Sequence, residues 1–142
     1  MPSTICGARD PMLIVDASCL YEVVADTARA EHVRDRLRLD VDHAAPHAID
    51  AEVLGIIRLH RMLGRLDATA ALQAVEDLRD WPGERFGHRA LLARAWELRD
   101  RVRSWDAMYI ALAEALRGTL ITLDARIARI EGLECPVEVP DA

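Results

Sequence analysis

The strongest constraint on the fold is a pair of short apolar runs that each end on an acid. Leu13-Ile14-Val15 meets Asp16, and Thr119 to Leu123 ("TLITL") meets Asp124. Short, β-branched runs of this kind read as buried strands. Between them the apolar period changes to that of helices. Ile49, Val53, Ile56, Ile57 and Leu63 form a stripe closed by Gly64, and Asp67–Trp81 opens on an Asp cap and stops at Pro82-Gly83. Trp105, Met108, Tyr109, Leu112, Ala113 and Leu116 give the cleanest amphipathic pattern, ended by Gly118. Shorter signals fill the gaps: a helix capped at Ser18, a loose helix over 27–39, a strand near 43–49, a helix over 125–131 and a last strand near 136–139. Strands alternating with helices imply an α/β fold, with a mainly parallel sheet of about four to five strands flanked by helices. Such sheets hold ligands beyond the carboxyl ends of their strands, which is where both acids stand.

At 142 residues and 51% apolar content the chain fits one domain with a sizeable core. Residues 1–11 read as a loose leader ahead of a single domain over 12–140, and Met12 is an alternative start to Met1. No apolar run approaches a membrane span and the start lacks an export signal, which points to the cytoplasm. All 18 basic residues are arginine. Without lysine there is no P-loop lysine and no Schiff base. The net charge of −6 argues against gripping nucleic acid by bulk charge, although not against gripping it through bound cations. Cys6, Cys19 and Cys135 lack zinc or disulfide spacing. His32, His43, His47, His60 and His88 show no ligand motif.

The acids therefore carry the chemistry. Asp16 and Asp124 end strands, Asp106 heads the strongest helix, and Glu52 sits one turn into its helix at the border of the apolar stripe. Each alone reads equally as a helix-capping or surface acid. Asp50 lies two residues from Glu52, and the sequence leaves the choice between them open. If these ends converge, like charges share a pocket that needs a cation, and an all-oxygen ligand set suits Mg²⁺ or Mn²⁺. Such a site supports attack of water on a phosphodiester. Arg58, Arg61 and Arg65 recur along the Glu52 helix as a solvated face or as contacts to RNA phosphates.

The stretches "LIVDASCL", "AEVLGIIRLHR" and "SWDAMYIALAEALRGTLITLDARIAR" resemble the PIN-domain family, and within it the VapC toxins of VapBC toxin–antitoxin pairs. The resemblance spans Met12 to Val139. It implies a PIN-like fold whose acidic quartet corresponds to Asp16, Glu52, Asp106 and Asp124, with Ser18 and Thr122 supplying hydroxyls beside the site. It further implies a Mg²⁺- or Mn²⁺-dependent endoribonuclease cutting structured RNA such as tRNA or rRNA. A homodimer and a cognate VapB-type antitoxin are implied as well. The alternative is a non-catalytic PIN-like module that binds RNA or protein through the same face.

Overall fold

A computed structural model describes residues 12–40 and 42–140, so the leader over 1–11 lies outside the described residues. The elements are β1 (Leu13–Val15), α1 (Ala17–Val24), α2 (Ala30–Leu37), β2 (His43–Pro46), α3 (Ala48–Met62), α4 (Ala68–Asp80), β3 (Glu84–Phe86), α5 (Leu92–Glu97), α6 (Ser104–Ala115), β4 (Thr119–Ile121) and β5 (Val137–Glu138). The strands form one parallel sheet in the order β3-β2-β1-β4-β5. Strand β1 is central, with Leu13 opposite both His43 and Thr119 and Val15 opposite Ile121. All three of its residues are buried, as a strand covered on both faces requires. The chain leaves β1 toward β2 and β3, then returns to its other side with β4 and β5. The carboxyl ends of β1 and β4 therefore flank the point where the winding reverses, the usual ligand crevice of an open α/β sheet.

One continuous core joins β1 and β4 to α1, α3 and α6, with Ile14, Leu20, Ile49, Val53, Ile110 and Leu120 removed from solvent. No helix among the described residues is long and apolar enough to cross a membrane.

Four details differ from the sequence reading. The cap of α1 is Asp16 and not Ser18: its carboxylate accepts the Cys19 N–H at 3.1 Å, and Ser18 sits inside the first turn. Helix α6 is not amphipathic. Trp105, assigned to its apolar stripe, is 54% exposed, whereas Ala107, Ile110 and Ala111 off that stripe are buried. The helix lies against the sheet on one side and α5 on another, so little of it faces water. The expected helix over 125–131 is a single 3-10 turn, Ile127–Arg129. It buries only Ile127, and its chain turns extended at Ile130. Strand β3 was not anticipated, since a three-residue edge strand with no buried residue carries no periodicity to read.

Candidate active site

The ends of β1 and β4 are laced together by side chains. Asp16 is 7% exposed, and its Oδ1 accepts from the Ser18 hydroxyl at 2.6 Å as well as from Cys19 N–H. Its Oδ2 accepts from the hydroxyl of the fully buried Thr122 on the neighbouring strand end. Thr122 Oγ1 in turn accepts the Asp124 N–H at 3.0 Å, and Ser18 Oγ accepts the Leu123 N–H at 3.1 Å. Asp16 thus keeps its role as a helix cap while being held by two hydroxyls and one backbone amide. Among the described residues no cation pairs with it. Burial pushes its carboxyl above the ordinary 3.8, and the bonds from Ser18, Thr122 and Cys19 offset that only in part.

Glu52 projects from the second turn of α3, where Tyr109 of α6 donates its phenol proton to Oε1 at 2.9 Å. Burial raises its carboxyl, the Tyr109 bond opposes this, and the negative charges of Asp106 and Asp16 add to the rise. Asp106, third residue of α6, makes no capping hydrogen bond, so the cap that its place at the head of that helix suggested does not form. It is likewise raised, by burial first, then by Asp124, with Arg103 and Arg126 opposing. Asp124 is the exception. Arg126 clamps it through Nε at 3.0 Å and Nη2 at 2.8 Å and holds it below the ordinary carboxylate range.

The quartet is therefore one electrostatic unit: Asp16 bears on Glu52, Glu52 and Asp106 repel, and Asp106 feels Asp124. It is not a closed cage. Among the described residues no three His, Cys, Asp or Glu side chains stand close enough to hold one ion between them. Asp50 is set apart. Its Oδ1 accepts from Arg85 Nη2 at 2.9 Å, and the same guanidinium binds the carbonyls of Leu78, Trp81 and Gly83 at the end of α4. Asp50 thus belongs to a structural ion pair. Arg58 and Arg61 are exposed, and on a helix turning ~100° per residue Arg61 lies on the side opposite Glu52.

Three neighbours of the acids escaped the sequence reading: Tyr109, Arg103 and Arg126. Tyr109 follows Asp106 by three residues, which places both on one side of α6, and that spacing was a usable signal. The two arginines carried none, being ordinary surface residues by pattern.

The sequence profile of the PIN domain matches residues 13–133. The chain belongs to the PIN-domain family. This PIN domain is 41% identical over 118 residues to a Mycobacterium tuberculosis protein named ribonuclease VapC3, covering 82% of this chain and 85% of that one. It is 32% identical over 128 residues to VapC ribonuclease Mb0985 of Mycobacterium bovis, covering 90% and 98%. Its fold is similar to that in the crystal structure of VapBC2 from Rickettsia felis bound to a promoter DNA fragment. The TM-score is 0.67 at 16% identity, covering 92% of this chain and 99% of that one.

Proposed function

We propose that the protein is a VapC-type toxin ribonuclease that uses its acidic quartet to hydrolyse RNA with a divalent cation. The observation that carries the reading is the state of Asp16 and Glu52. Both are raised by burial and, among the described residues, neither has a cationic partner, so they favour any cation that enters. The donor set is all oxygen, which fits Mg²⁺ or Mn²⁺. The open arrangement also fits, since Mg²⁺ keeps several waters and takes only one or two carboxylates from a protein. Asp16, Glu52 and Asp106 would hold the ion between them, one or two directly and the rest through water. When bound, it supplies an activated water and neutralises charge on the leaving oxygen.

The remaining work falls to the protein. Ser18 and Thr122 fix the Asp16 carboxylate so that its rotamer is set before substrate arrives. Tyr109 does the same for Glu52. Asp124, once released from Arg126, orients the attacking water or a second ion. Likeness to proteins named VapC ribonuclease supports RNA as the substrate; structured tRNA or rRNA as its target and arrest of translation are part of the proposal. Similarity to toxin–antitoxin structures supports a VapB-type antitoxin partner. A homodimer and a cytoplasmic setting complete the proposal.

One observation favours the alternative, a non-catalytic binding module: the ion pair that keeps Asp124 occupied. The two readings part on metal. Expressed without antitoxin, the wild-type protein should arrest growth, and the purified protein should cut RNA but not DNA, with EDTA stopping it. Asp16→Asn and Asp106→Asn should fold and lose both effects. Undiminished cleavage in either variant, or in EDTA, sinks the assignment.

A further inference from the structure

Beside the quartet lies an open cleft of about 300 Å³ lined by Arg101, Arg103 and Arg126 together with Asp106, Asp124 and Ile127. Its charge runs against that of the protein. The chain carries −6 overall, yet here three arginines face two aspartates, so the cleft is positive before any cation enters. A polyanion approaching an acidic protein is drawn to such a place, because a concave wall concentrates the field.

The three guanidiniums are held differently. Arg101 is fixed: its Nη1 donates to the Glu131 carbonyl at 2.5 Å and lies across Gly132, where a Cβ would come within 2.5 Å of it. Arg103 has the nearest acid at 3.8 Å, beyond hydrogen-bonding reach, and its side chain is 81% exposed. Its fork of donors points into water. Arg126 is 79% exposed and uses two donors on Asp124. An exposed pair of this kind contributes little to stability, so exchanging Asp124 for another oxyanion costs little.

We propose that this cleft is the subsite for a backbone phosphodiester of the RNA strand next to the one being cut, with Arg103 and Arg126 as its two phosphate contacts. The inference rests on the ribonuclease reading for the identity of the strand, and on the cleft itself for the contacts. Guanidinium matches phosphate oxygens two by two, which a lysine would not. When Arg126 turns to the phosphate, Asp124 is freed toward the acidic centre. Substrate binding and completion of the quartet thereby become one event.

The test measures binding apart from cleavage. Fluorescence anisotropy with a labelled oligouridylate in Ca²⁺, the probe checked intact afterwards, gives affinity as a function of salt. Arg103→Gln and Arg126→Gln should each weaken binding by roughly fivefold to tenfold and lower the slope of log K against log salt by about 0.7. Arg79→Gln, an exposed α4 arginine away from this cleft, should match the wild type in both. A slope unchanged in either cleft variant overturns the proposal; for Arg126 it would mean a clamp on Asp124 and nothing more. Cleavage of total tRNA in Mg²⁺ by the same wild-type preparation separates the two claims. Cleavage with unchanged slopes removes the subsite and keeps the ribonuclease. Lowered slopes without cleavage do the reverse.

Discussion

Replacing Thr122 by valine keeps the shape of a fully buried side chain and deletes one hydroxyl that serves two partners. It donates to Asp16 Oδ2 and accepts the Asp124 N–H. A hydrogen bond to a charged group contributes about 1.5–3 kcal/mol, and the orphaned amide adds about 1 kcal/mol to the loss. The buried methyl returns about 1 kcal/mol. The net cost is thus about 1.5–3 kcal/mol near neutral pH, and its pH dependence has a definite sign. Asp16 titrates above its ordinary 3.8 in the fold, so its charged form is the costly one. Stability therefore rises as pH falls from that raised value toward 3.8, because protonation relieves the burial. Valine removes a bond that lowers the Asp16 value, so the variant titrates higher still. Its deficit is largest where wild-type Asp16 is ionised and shrinks toward zero where both proteins are protonated, because the amide's cost and the methyl's return then offset. Urea unfolding followed by tryptophan fluorescence, from neutral pH down to ~4, gives both numbers. A deficit below about 0.5 kcal/mol, or one that stays constant across the series, would refute the claim that Thr122 sustains a buried carboxylate.

Three further substitutions test other parts of the structure. Gly118→Ala should cost about 2–3 kcal/mol and lower the melting temperature by several degrees, because its Cβ would lie 2.3 Å from the Met12 carbonyl and 2.6 Å from Ile14 Cδ1; an unchanged melt would contradict the packing of β1 against the turn into β4. Asp50→Ala should loosen the end of α4 by about 1 kcal/mol while leaving RNA cleavage intact, whereas Glu52→Gln should abolish cleavage and leave stability the same or higher. Loss of cleavage in Asp50→Ala alone would reverse the assignment of the two acids.

The parts of the site that could be read from the sequence are those set by burial. Leu13–Val15 and Thr119–Ile121 announce strands because both faces are covered, and an acid directly after such a run stands out. What needed the structure was everything decided by a distant partner. Asp50 and Glu52 are alike in sequence, and they are told apart only by Arg85, 35 residues from Asp50, and by Tyr109, 57 from Glu52. Helix α6 misled for the opposite reason. Packing on more than one side removes the polar face that a periodicity argument relies on, so Trp105 was drawn inward and Ile110 overlooked. The capping account of Asp16 and the site account also proved compatible, since one oxygen serves the helix and the other faces Thr122.

The bond between Thr122 and Asp16 joins residues 106 apart in the chain. During synthesis the amino-terminal part leaves the ribosome first, and β1 must wait for the chain through residue 121 before its neighbour β4 exists. Until then Asp16 has no Thr122, Asp106 no Asp124, and the crevice no second wall. A prematurely terminated product that stops short of β4 can never assemble the centre, however well its early helices form. This strand order therefore delays assembly of the acidic centre until β4 has been made.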